Sequence, residues 1–185
     1  ASHSASANID FSGSSVVGAT VTLRSTSDLD GTSFIDCPTF TQNSATLINC
    51  SFSNTKVTSA SPAAAALISN STFTSSGTGH AIEIAGTAAD MTLTSVDFTD
   101  YAATNGSTGN EAIYVNIAFG SMVISISGGT TPSIRTAGAT ITVQNPVTVK
   151  VTAKDATSLA AIENTRVLLE AAAGGDLPAG ESATI

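Results

Sequence analysis

The side chains able to move protons are few in this chain, and two pairs of them lie in short matching segments. Ala81-Ile82-Glu83-Ile84 follows Gly79, and Ala112-Ile113-Tyr114-Val115 follows Gly109. Aligned on that shared core, His80 falls beside Glu111 and Glu83 beside Tyr114. A His–carboxylate neighbour pair with a Tyr close by is a set that could serve acid–base chemistry. Asp97 and Asp100, on either side of Phe98, add two more carboxylates, and paired carboxylates are what glycoside hydrolysis needs. The plainer expectation is that Asp97 and Asp100 are solvated turn residues and Glu83 an outward strand position. Trp is absent, and Tyr101 and Tyr114 are the only tyrosines, so little aromatic surface exists to hold a sugar ring. The expected set of catalytic residues is therefore empty.

Other chemistries fare no better. His3 and His80 are the only histidines, and neither accompanies a G-x-S-x-G turn, which removes the usual serine-nucleophile arrangement. No phosphate-binding glycine pattern occurs, so neither a nucleotide nor any other cofactor is expected. Cys37 and Cys50 stand three and two residues before a Phe, near equivalent repeat positions. Two small buried side chains in neighbouring coils is the first expectation for them. A disulfide is the second, because stacked neighbours lie within bridging reach. Metal binding comes last, since two thiols with no nearby His leave a site unfilled. Asn49, Asn70 and Asn105 begin glycosylation sequons, as chance allows in a chain so rich in Ser and Thr. Asn49 and Asn70 read better as corner residues whose amides bond between coils.

The elements that must carry these side chains are short strands. An apolar pattern returns as F-I-D-C-P-T-F at 34–40, L-I-N-C-S-F at 47–52, L-I-S-N-S-T-F at 67–73 and L-T-S-V-D-F at 93–98. Each copy is a few alternating residues, a small polar corner and a Phe, followed by Ser/Thr/Gly/Asn-rich filler. Repeated short strands with the same inward positions describe a parallel β-solenoid. With Phe40, Phe52, Phe73, Phe98 and then Ile124/Ile126 as markers, five or six coils run to about residue 143. Successive Phe spacings are 12, 21 and 25, the first short for a full coil. Inward positions are predicted at Leu47, Phe52, Leu67, Phe73, Ile82, Ile84, Leu93, Phe98, Ile113 and Val115. The Pro62-Ala63-Ala64-Ala65-Ala66 run is too short for a useful helix and reads as a packed strand or turn.

Composition supports this. Of the 185 residues only 11% are charged, against a usual quarter, yet 42% are hydrophobic, which separates the chain from disordered sequences. The formal charge of −8 argues against nucleic acid or an anionic membrane as partner. No apolar run is long enough for a membrane span, and no signal peptide is visible. Three segments follow: an extended N-terminal arm, or a weak first coil, at 1–18, a parallel β-helix at 19–144, and a different texture at 147–185, where V-T-V-K-V-T-A alternates strictly after Pro146.

The stretch 147–177, V-T-V-K-V-T-A-K-D-x(7)-I-E-N-T-R-V-L-L-E-A-x(2)-G-G-D-L-P, resembles the opening of Ig-like or transthyretin-like modules. Such modules recur in structural proteins of tailed bacteriophages. G-H-A-I-E-I at 79–84 and N-E-A-I-Y-V-N at 110–116, alternating with the Phe pattern, resemble right-handed parallel β-helix repeats of phage tailspikes, fibres, capsid decorations and polysaccharide lyases. The resemblance implies an all-β protein: a right-handed parallel β-helix followed by the first strands of an incomplete Ig-like β-sandwich. It also implies a component of the virion surface, a capsid decoration or fibre/spike segment; the lack of a site makes it non-enzymatic, and the exposed terminal coils of a solenoid, which need cover, point to assembly with itself, as a homotrimer, and with other virion proteins. The alternative is a tailspike β-helix that binds or depolymerises a host surface glycan, and a third reading is a bacterial surface adhesin, which shares both modules.

Overall fold

The computed structural model describes residues 11–106, 109–145, 157–158, 166–167 and 183–184. The chain divides into two compact units, Ala1–Pro146 and Val147–Ile185. The first is a parallel β-solenoid of about six coils, each with three short sides. Coil one holds β1 (Ser15–Val17), β2 (Thr20–Thr22) and β3 (Asp28–Asp30); coil two holds β4 (Ser33–Ile35), β5 (Thr39–Thr41) and β6 (Thr46–Ile48). Coil three contains β7 (Ser51–Ser53), β8 (Val57–Ser59), a single helical turn α1 (Pro62–Ala65) and the start of β9 (Ile68–Thr74). β9 turns the corner into coil four, which continues through β10 (Ile82–Ile84) to β11 (Met91–Thr99). β11 leads into coil five with β12 (Ile113–Val115) and β13 (Ser121–Gly129); coil six adds β14 (Ile134–Thr136) and β15 (Thr140–Gln144). β2, β5, β8, β10, β12 and β14 form one six-stranded sheet, and the other two sides merge into a nine-stranded sheet because β9 pairs on both.

Period-2 alternation sends every second strand residue inward, and parallel pairing stacks like on like. On the first side the inward column is Val16, Phe34, Phe52, Phe73 and Phe98. The rings stack nearly parallel, 5.3 Å from Phe34 to Phe52, 4.5 Å from Phe52 to Phe73 and 5.6 Å from Phe73 to Phe98. The second side contributes Val21, Phe40, Val57, Ile82, Ile113 and Ile134. The third contributes Leu29, Leu47 and Ile68, and Leu93 over Ile126. Phe40 is thus a core residue of another column, meeting Phe34 and Phe52 edge-on at 4.7 and 5.5 Å. The marker spacing of 12 was too short because Phe34, not Phe40, is the rung below Phe52.

Corners explain the polar residues between strands. Gly31, Asn49, Asn70, Ser95 and Gly128 all adopt positive φ where the third side of one coil turns into the first side of the next. An L-residue with a Cβ is strained there, which is why Gly and Asn dominate. Asn49 also donates from Nδ2 to Asp30 Oδ1 at 2.7 Å, tying neighbouring coils.

Four expectations need correction. Leu67 is 38% exposed, and Ile68 takes the inward place above Leu47, because the register runs back from the Asn70 corner. Pro62–Ala65 is helical, since Ser61 caps it by accepting from Ala64 N and Pro62 occupies the first turn, where no N–H is needed. Cys37 and Cys50 are not equivalent: the Cys37 amide bonds Thr55 Oγ1 at one corner and the Cys50 amide bonds Ser71 Oγ at another, each at 3.0 Å. Both are buried, unpaired thiols. Finally, β1 already pairs with β4, so of the two readings of 1–18 the weak first coil holds from Ser15 and the extended arm does not. The strand expected at 147–153 and the Ig-like segment lie outside the described residues, apart from β16 (Arg166–Val167) and β17 (Ala183–Thr184), which pair antiparallel.

Candidate functional site

The outward side chains of the six-stranded sheet also stack in register: Thr22, Thr41, Thr58, Glu83, Tyr114 and Arg135. The first three rungs are uncharged, and the chemistry is confined to the last three. Because Ile82 and Ile84 point inward, Glu83 must face outward, over Tyr114 of the next coil.

Glu83 is the hub. Lys56 Nζ donates to its Oε2 at 2.9 Å, and Asn116 Nδ2 donates to its Oε1 at 2.9 Å. His80 Nε2 reaches Oε2 at 3.4 Å. Burial alone would raise this carboxyl, but the Lys56 and Asn116 donors outweigh it and hold the pKa at about 2. His80 is pushed below the ordinary imidazole value by burial, with the Glu83 contact only partly offsetting this. Its Nδ1 is buried and has no hydrogen-bond partner among the described residues.

Tyr114 is sandwiched between cationic and aromatic neighbours. Arg135 Cζ lies 4.0 Å from its ring centroid, a cation–π distance, and the His80 ring lies 5.1 Å away. Glu111 is fully buried, accepts from Gly109 N at 3.2 Å, and lies 3.8 Å from Arg135 Nε through Oε2.

The expected pairing of Glu83 with Tyr114 is present as a rung. Of the other candidate carboxylates, Glu111 lies against Arg135 in the same cluster, and Asp97 and Asp100 are elsewhere. Asp97 is exposed on the first side, where it accepts from Thr130 Oγ1 at 2.8 Å. Asp100 is an exposed corner residue with positive φ. They do not share a face with Glu83. Tyr101 is half-buried, and burial pushes its hydroxyl up to about 12. His3 lies outside the described residues. Among the described residues no group of three or more His, Cys, Asp or Glu could hold a metal ion.

Sequence reasoning missed Lys56, Asn116 and Arg135 as partners. Aligning the inward columns Val57–Ile82–Ile113–Ile134 would have found Arg135, which stands one coil above Tyr114. What the cluster does chemically is limited. A general acid must keep its proton near neutral pH, and a general base needs an open lone pair facing substrate. Glu83 is ionised and engaged at both oxygens, so it works as a strut linking coils three, four and five. Comparisons with protein-family models, curated proteins and solved structures find no match. The class defined by the geometry is therefore a parallel β-solenoid with a neutralised polar cluster on one outer face.

Proposed function

We propose that this chain is a non-enzymatic structural protein of a tailed-bacteriophage virion, a capsid decoration or fibre/spike component that assembles as a homotrimer. The observation that carries the reading is the engagement of Glu83 by Lys56, His80 and Asn116, which turns the best catalytic candidate into an inter-coil brace. Assembly is supported by the solenoid's first coil, where β1, β2 and β3 each pair on one side only among the described residues. Such edges need cover. The same coil carries an apolar groove of about 160 Å³ between Phe11, Val16, Val21 and Leu23. The phage setting, the right-handed sense of the coil and an Ig-like character for 147–185 rest on the resemblance of residues 79–84, 110–116 and 147–177.

Light scattering on the purified chain tests assembly. The expected mass is three times 18.3 kDa at micromolar concentration, and a folded monomer would remove the argument. Mass spectrometry of purified particles tests the setting, with peptides of this chain expected in the virion. Release of reducing ends from host capsule or lipopolysaccharide, lost on Asp97→Asn, would replace the reading with a depolymerase.

A further inference from the structure

Phe119 is 81% exposed, the most exposed large apolar side chain among the described residues. It stands at the corner between the second and third sides of coil five, on backbone that coil six holds in place. Ile117 O accepts from Ala139 N at 3.0 Å and Gly120 O accepts from Thr140 N at 2.9 Å, so the chain is pinned on both sides of the tip. Gly138 lets the corners pack this closely, because a Cβ there would collide with Ala118 O. Ala89, Ala118 and Ala137, all exposed, keep the stacked corners apolar. A phenyl ring presented on fixed backbone has little freedom left to lose on binding.

Toward the other end of the same unit, coil one leaves the core open. Phe11 and the inward side chains Val16, Val21 and Leu23 line the apolar groove of about 160 Å³. An apolar cavity of about 150 Å³ accepts a benzene ring, so groove and phenyl match in volume as well as in chemistry. Charge beside the two surfaces is opposite. Exposed Arg24 follows Leu23 at the groove, whereas exposed Asp90 is the one charged residue in the corner segments 85–90, 116–120 and 137–139. Asp28 and Asp30 of coil one do not line the groove. The unpaired edges of β1, β2 and β3 offer backbone donors and acceptors beside it, which suits a polypeptide better than a free apolar molecule. Four coils separate Phe119 from the groove, about 19 Å at about 4.8 Å per coil, so the ring does not fill the groove of its own chain.

We propose that Phe119 of one copy seats in the coil-one groove of the next. The contact joins unlike surfaces, and such contacts repeat head to tail until a ring closes. An aromatic anchor in a dry pocket is the kind of residue that carries most of an interface's binding energy. The inference rests on the trimeric reading and names the contact that builds the trimer.

Analytical ultracentrifugation of the full chain and its variants is the test. The parent should sediment as three chains of 18.3 kDa. Phe119→Ser, at an exposed tip, and Thr20→Trp, which covers the groove from an exposed strand position, should each weaken association at least tenfold with circular dichroism unchanged. Leu67→Ser, at an exposed apolar position away from both surfaces, should leave it unchanged. Mixed together, Phe119→Ser supplies an intact groove and Thr20→Trp an intact Phe119, so the mixture should form dimers. A trimer that survives Phe119→Ser, a mixture that stays monomeric, or an equal loss with Leu67→Ser overturns the contact and leaves the trimeric reading standing. A folded monomeric parent overturns both. Assembly that appears only after deletion of residues 1–10 makes the chain's own N-terminus the occupant and overturns the contact. Dimers or filaments lost on Phe119→Ser keep the contact and remove the trimer.

Discussion

Phe73 is an interior rung of the aromatic ladder, and replacing it by Ala tests the register of the solenoid. Its side chain is fully buried, with Phe52 stacked at 4.5 Å on one side and Phe98 at 5.6 Å on the other. Removing a buried Phe side chain costs about 3–5 kcal/mol, the transfer and cavity contributions together. Two stacked pairs are lost as well, each contributing about 0.5–1.5 kcal/mol beyond area burial, although the contributions overlap. The upper half of the range is expected, because the hydrogen-bonded ladders on either side hold Phe52 and Phe98 apart and keep the void from collapsing. Urea denaturation followed by circular dichroism measures the loss, with Leu67→Ala as the control. Leu67 is 38% exposed and should cost less than about 1 kcal/mol. A loss under about 1 kcal/mol for Phe73→Ala, or a larger loss for Leu67→Ala, would refute the stacking register.

The Glu83 brace predicts acid sensitivity. Its carboxyl titrates at about 2 in the fold against an ordinary 4.5, so its contribution is complete above about 4.5 and is lost as pH falls toward 2. With the partly exposed Lys56 screened by solvent, that contribution is about 1–2 kcal/mol. Glu83→Gln should lose it at pH 7 and differ little from the parent near pH 2, as read by thermal melts across pH. His80 acts in the same direction at higher pH, because burial keeps its imidazole neutral. The unfolded chain therefore takes up the proton first as pH falls below about 6.5, and His80→Gln should remove that step. At the Asn70 corner, where φ is 48°, Asn70→Ala should cost about 1–2 kcal/mol and Asn70→Gly should be nearly neutral in urea midpoints. Equal costs would mean that the corner is not strained. Both thiols should resist Ellman's reagent in the native protein, Cys50 doubly so because burial raises its pKa, and both should react after unfolding. Rapid native labelling would place a thiol at the surface.

The strands were legible because alternation and parallel stacking leave a similar trace from coil to coil, an apolar residue at most inward rungs, with buried Ser59 and Ser71 as exceptions. Ile82, Ile84, Ile113 and Val115 announce themselves this way and are fully buried. Leu67 misled because two adjacent apolar residues precede the corner, and alternation alone does not say which is inward. The left-handed corner does: counting back from Asn70 as from Asn49 pairs Ile68 with Leu47. The polar cluster was only half legible. Glu83 and Tyr114 sit in matching segments, but Lys56, Asn116 and Arg135 come from coils whose spacing differs, and only three-dimensional register brings them together.

That unequal spacing has a physical cause. The step between equivalent first-side rungs is 18 residues from Ser33 to Ser51 but 33 from Asp97 to Thr130. Lengthening a surface connection costs little, about 0.6 kcal/mol for each doubling, whereas shifting a rung by one residue would turn an entire inward column toward solvent. Coil length is therefore free to vary and rung register is not. A search for a fixed period must fail on such a chain, while a search for left-handed corners flanked by inward apolar pairs succeeds. Rungs are committed to the core and to their ladders, so the variation in length falls in the corner segments, 75–81 and 100–112 among them. The Glu83 strut, reaching Lys56 and Asn116, keeps coils three to five in register across those segments.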